Sequence, residues 1–262
     1  MAALLTQQYL FWAFTTLLEV CLFVLLIQQK LYVSHPAFTV YILIAILQSA
    51  FVATVYVYFG SSSRQSYFIA WGSQGVVVCA RWLAVMEIAK NALGTYRGIW
   101  ALAKRMLLVL SIVVLAYSIY ISKSRWTLVI LTADRALELC IAAFIVGMFF
   151  FVRYYRVPML DLDRVLAIGF CLFSCFHVIN DSMYEQWRKA IGTLWHYLDT
   201  LTFVATLLLW IGATWKHSEV PQTTAQPKLT PEQGSALSGE LTSRLDKLNN
   251  RLDELFRSKN LR

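Results

Sequence analysis

Apolar residues run in long stretches over the first 215 positions, broken by short polar clusters, and seven stretches stand out: 8–28, 37–58, 67–89, 106–122, 127–152, 165–181 and 191–215. A helix needs about 20 mostly apolar residues to cross about 30 Å of hydrocarbon, and all but 165–181 reach or approach that length. The pattern predicts an all-α integral membrane protein, with a seven-transmembrane helix bundle over residues 1–215. Pro36 and Pro158 border spans and no span interior holds a proline, so fairly straight helices are expected. Met1–Leu10 contains no Lys or Arg, so 8–28 is expected to be a retained helix rather than a secretion signal.

Past Lys216 the pattern changes. Residues 216–236 are polar and contain Pro221, Pro227 and Pro231, which predicts a flexible linker. Leu241, Leu245, Leu248, Leu252 and Leu255 then follow spacings of 4, 3, 4 and 3, an a/d seam within 237–262. The seam predicts a short amphipathic or coiled-coil helix. Its leucine stripe over 241–255 suits self-association or docking on a partner helix or the bilayer surface.

Charge adds a direction. Charged residues make up 15% of the chain, against about 25% in soluble domains. One set of loops holds Lys30, Lys90, Arg97, Lys104, Arg105, Arg153, Arg156, Arg164 and Lys216, and the other holds Arg64, Lys123, Arg125, Arg188 and Lys189. The positive-inside bias then places the N-terminus outside and the C-terminus in the cytoplasm of a multi-pass cell-membrane protein. Juxtamembrane Lys and Arg account for the net charge of +8, and no nucleic-acid partner is implied. Cys21, Cys79, Cys140, Cys171 and Cys175 all fall within spans, where cysteine acts as a small apolar residue.

Ionisable groups inside a membrane need a partner or a cavity. The spans carry two groups of them. In the first, Asp134, Arg135 and Glu138 lie on the fifth span, His177, Asn180 and Asp181 on the sixth, and His196 and Asp199 on the seventh, at similar depth. The i, i+4 and i, i+3 spacings put each pair on one helix face. Converging faces would form an outer pocket for a proton or small polar ligand. The same groups would equally serve as a structural hydrogen-bond network. If the site held Zn²⁺, its ligands would come from His177, Asp181, His196 and Asp199. The second group predicts a buried ion pair between Glu19 and Arg81, with Gln74 beside it and Glu87 and Lys90 reaching the interface.

Seven spans with an outside N-terminus resemble the microbial rhodopsins in outline, and Leu198–Phe203 is faintly similar to the segment in which an Asp precedes the retinal lysine by four residues. Phe203 stands at that position and the seventh span has no lysine, which excludes a retinal Schiff base there. The similarity covers too few residues to assign the family. Short motifs of serine hydrolases, zinc peptidases and nucleotide-binding enzymes are absent. The leading expectation is therefore a receptor-like or sensory protein, with no catalytic residue and no cofactor assigned. An intramembrane metal-dependent lipid hydrolase and a small transporter or proton channel are the alternatives. The hydrolase needs two imidazoles converging with a carboxylate, and the transporter needs a polar path from the pocket to Glu19 and Arg81.

Overall fold

A computed structural model describes residues 2–60, 63–94, 97–121, 126–155, 157, 159–219, 243 and 246–251. Side chains at 2–10, 97–98, 121, 126–131, 181, 184–197, 199 and 217–219 lie outside the description. So do most of the linker 216–236 and of the tail 237–262, including Leu241, Leu245, Leu252 and Leu255.

The chain folds into helices α1 (Ala2–Gln28), α2 (Leu31–Ser34), α3 (Pro36–Phe59), α4 (Arg64–Leu93), α5 (Arg97–Ile121), α6 (Trp126–Tyr154) and α7 (Asp161–Glu219). Among the described residues six helices are long and apolar enough to cross a bilayer, and a shorter apolar stretch follows at Thr200–Lys216. The protein is thus a membrane-spanning helical bundle. Large apolar side chains cover its exterior, with Val57 83% and Phe150 74% exposed, as a lipid-facing surface requires.

Local chemistry fixes the ends of the helices. Lys30 adopts φ 56° and separates α1 from the four-residue α2. Pro36 opens α3 at a position where its missing N–H costs nothing. Gly60, at φ 77°, closes that helix, and the Ser63 hydroxyl caps α4 by accepting from the Ser66 amide. Glu87 of α4 accepts from the backbone N–H groups of Ala37 and Phe38, both at 3.0 Å, and so caps the first turn of α3. Glu87 therefore caps a helix, whereas the sequence suggested a side chain reaching for the interface. Replacing Glu87 with Ala should cost about 1–2 kcal/mol, and Glu87→Gln, which offers one acceptor oxygen to two N–H groups, should regain only part of it, as read by thermal unfolding in one detergent.

α5 starts nine residues before the predicted position 106. Ile99 and Leu107 bury one face of this extra segment while Lys104 and Arg105 stay exposed on the other. Basic stems at the membrane border allow such an extension.

The largest difference lies in α7, which spans 59 residues and which the sequence divided into spans at 165–181 and 191–215. A straight helix of that length would measure about 88 Å. Instead its two arms pack on each other. The Trp210 indole N–H donates to the Leu166 carbonyl at 3.3 Å, the Phe170 and Trp210 rings lie 4.7 Å apart, and those of Phe173 and Phe203 5.6 Å. Position numbers rise on one arm as they fall on the other, so the arms run antiparallel and the helix reverses between them. Gly169 makes the approach possible, because a Cβ there would overlap the Trp210 indole.

Phe38, Tyr41, Phe170 and Trp210 are all buried and interlock in T-shaped and tilted ring contacts. They fill the bundle between a polar layer nearer its Arg64 end and another at its His35 end.

Candidate polar pocket and its neighbouring buried pairs

α3 and α4 pack closely, as do α6 and α7. Between these pairs a cavity of about 330 Å³ opens toward the Arg64 end, lined by Gln48, Val52, Tyr56, Ala70, Trp71, Gln74, Asp134 and His177. Gln48 reaches across to Ser73 and Gln74 at 3.5 Å. At the deep end His177 Nε2 and Asp134 Oδ2 are 3.2 Å apart. The other carboxylate oxygen of Asp134 is buried without a hydrogen-bond partner.

Below this pair the His177 imidazole stacks on Phe173, with centroids 5.6 Å apart and an interplanar angle of 13°. The Arg81 guanidinium carbon lies 4.4 Å from the Phe173 centroid and 5.7 Å from that of Tyr41. Arg81 donates to Glu138 Oε1, and the Ser174 hydroxyl donates to Glu138 Oε2 at 2.6 Å. These three groups are at most 2% exposed. Both rings and the pair thus form one connected assembly beneath the cavity.

The predicted Glu19–Arg81 pair is replaced by Arg81–Glu138. Depth explains the change. Glu19 faces Ser49 of α3, whereas Arg81 faces Tyr41 of the same helix. Eight residues of helix separate those levels by about 12 Å. Glu19 is itself buried between apolar helices, with Oε2 lacking a hydrogen-bond partner. Gln74 joins Gln48 in the cavity wall.

Of the predicted pocket residues, Asp134, Glu138 and His177 come together across α6 and α7, with Glu138 one layer below the cavity. Arg135 is half-buried and does not line the cavity. Asn180 is half-buried, and its side-chain oxygen has no hydrogen-bond partner. The side chains of Asp181, His196 and Asp199 lie outside the described residues. Among the described residues no group of three or more His, Cys, Asp or Glu side chains is placed to hold a metal ion.

No protein-family model, curated protein or solved structure matches this chain. The chemistry must therefore be read from the geometry. Glu138 neutralises Arg81, so the cavity wall itself contributes one carboxylate and one imidazole. Such a pair can hold a proton between them or meet a polar ligand, while Trp71 and Tyr56 supply aromatic walls.

A second cluster escaped the sequence reading. At the opposite end His35 Nε2 lies 2.8 Å from Asp163 Oδ1, Ser34 Oγ lies 2.9 Å from His35 Nδ1, and Asn91 donates to Asp163 Oδ1 at 3.3 Å. This network joins the start of α3 to the ends of α4 and α7. The sequence placed His35 on the far side from the pocket, but Asp163 resembled an ordinary acidic residue at a helix start. Their pairing spans 128 positions, and no local spacing signals it.

Proposed function

We propose that this chain is a receptor-like sensory protein of seven spans, with its N-terminus outside and its C-terminal tail in the cytoplasm. A proton or small polar ligand acts at the Asp134–His177 pocket, and the tail reports its occupancy. The observation that carries the reading is the position of α6. It bears Asp134 in the cavity and Glu138 beneath it, and further along Ala143, Phe144, Gly147, Met148 and Phe151 line an apolar crevice of about 790 Å³ against α5. Leu248 of the tail lines the same crevice. One helix thus lines both the polar pocket and the crevice that Leu248 of the tail reaches. The antiparallel arms of α7 support the seventh span, and the basic loop asymmetry supports the orientation.

The aromatic layer favours a receptor over a transporter or channel. Ser174 and Asp163 are eleven positions apart, about 16 Å of helix, and buried rings occupy the space between their layers. Polar groups lead from the pocket as far as Arg81, but Glu19 lies at the separate level of Ser49 and the rings close the way toward Asp163. The lipid-hydrolase alternative has no comparable observation in its favour.

Imidazole changes charge near neutral pH, so protonation of His177 is the simplest input. Among the described residues, the charged or titratable groups on the helices around it are Asp134, Arg135 and Glu138 of α6, Arg81 of α4 and Tyr56 of α3. A nitroxide attached at Ser243→Cys, in a protein whose five native cysteines are replaced, would report the tail. Its spectrum in nanodiscs should change between pH 5 and pH 8, and His177→Gln should remove the change while leaving the melting temperature nearly unaltered. An unchanged response in the variant, or a tail indifferent to pH in the parent, would remove the proton-sensing form of the reading.

A further inference from the structure

The pocket's lining discriminates among ligands by charge. Asp134 is 7% exposed, lines the cavity, and keeps one carboxylate oxygen without a hydrogen-bond partner. A buried acceptor of this kind is costly to leave unsatisfied, and a charged donor is its strongest partner. Among the described residues no Lys or Arg lines the cavity. The nearby Arg81 is matched by Glu138, so its charge does not compensate Asp134. An anionic ligand would meet the Asp134 carboxylate with only the His177 imidazole beside it to offset the charge.

The remaining walls fit the same counterpart. Trp71 and Tyr56 are aromatic, and aromatic walls attract organic cations through the ring quadrupole. Gln48 and Gln74 bring amide oxygens, which accept N–H bonds. A cavity of about 330 Å³ lies at the small end of ligand sites.

We propose that the pocket binds a small primary ammonium ion carrying a short apolar or aromatic body, with its N–H groups on Asp134 and the glutamine amides and its body against Trp71 and Tyr56. A quaternary ammonium keeps the charge but has no N–H to donate, so it should bind more weakly. This assignment deepens the receptor reading and depends on it only for the consequence of binding.

The test uses the full chain in nanodiscs and titration calorimetry with four probes: 2-phenylethylamine, butylamine, trimethyl(2-phenylethyl)ammonium and 3-phenylpropionate. The two primary amines should bind saturably, the quaternary ion less tightly, and the carboxylate not at all. Asp134→Asn keeps the size of the side chain and a contact to His177 but removes the charge. It should weaken primary-amine binding by at least about tenfold, the loss expected for one charge-assisted hydrogen bond. Trp71→Leu, a wall residue away from the Asp134–His177 contact, should weaken the phenyl probe more than butylamine. That comparison keeps the test decisive if Asp134→Asn proves unstable. Failure of both primary amines to bind, carboxylate binding of equal strength, or full affinity in folded Asp134→Asn would each overturn the proposal. The spin-labelled tail separates the two readings. Amine binding with a silent tail supports the amine site and counts against the receptor, whereas a tail that responds to pH with no amine binding does the reverse.

Discussion

Glu138→Leu should destabilise the bundle by about 3–5 kcal/mol, and the double variant Arg81→Leu/Glu138→Leu should recover much of that loss. The single substitution strands a guanidinium that is 2% exposed among Phe173, Tyr41 and apolar helix faces. A carboxyl can shed its charge by binding a proton, but a guanidinium cannot. Arg81→Leu alone should therefore cost less than Glu138→Leu alone. Removing both partners leaves an apolar contact that packs without a buried charge, although the Ser174 hydroxyl loses its acceptor. Unfolding in mixed micelles at fixed lipid content gives all four corners of the cycle. Glu19→Leu supplies the control. Because it lies about 12 Å of helix away from the level of Arg81, its effect should add to that of Arg81→Leu within about 0.5 kcal/mol. A coupling of several kcal/mol between Glu19 and Arg81, with none between Glu138 and Arg81, would restore the pairing suggested by the sequence.

That reversal shows what hydropathy can and cannot carry. Span positions depend on the apolar run alone, and the predicted segments 37–58 and 67–89 lie inside α3 and α4 with only a few residues to spare. Depth along one helix is also legible, because spacing sets height: Asp134 meets His177, and Glu138 one turn further on meets Ser174 and Arg81. Partner choice between helices is different. It depends on how far one helix slides along another and which face it turns, and neither leaves a mark in a single span. Arg81 is about as close to mid-membrane as Glu19 when counted from span ends, yet the offset between α1 and α4 takes Glu19 to the level of Ser49. The cluster of His35, Asp163, Asn91 and Ser34 was invisible for the same reason, since it forms where three helices meet. The reversal in α7 leaves a better trace: the polar stretch between 181 and 191 separates two apolar runs, although helical hydrogen bonding continues through it. The absence of proline within the spans predicted fairly straight helices, and the reversal of α7, which brings Phe173 onto Phe203, departs from that expectation for the helix as a whole.

The close approach of the two α7 arms yields a test in which the sign of a substitution should change with its neighbour. Trp210→Ala removes the largest fully buried side chain among the described residues, with its ring contacts to Phe38, Tyr41 and Phe170 and its hydrogen bond to Leu166. The expected loss is about 3–5 kcal/mol, as for other aromatic truncations in packed cores. Inside a membrane the loss falls chiefly on van der Waals packing, since lipid is as apolar as the ring. Gly169→Ala in the parent should also destabilise, by about 1–3 kcal/mol, because its Cβ overlaps the indole. With Trp210 already truncated the obstacle is gone. Alanine then recovers helix propensity of about 1 kcal/mol and begins to fill the cavity, so Gly169→Ala should stabilise the Trp210→Ala protein. Gly147 is the internal control, since a Cβ there meets nothing within 4 Å and its replacement by Ala should behave alike in both backgrounds. Unfolding free energies of the six proteins in one detergent decide the matter. If Gly169→Ala has the same effect with and without Trp210, the two positions do not touch. The antiparallel packing of the α7 arms, and with it the main support for a seventh span, would then fall.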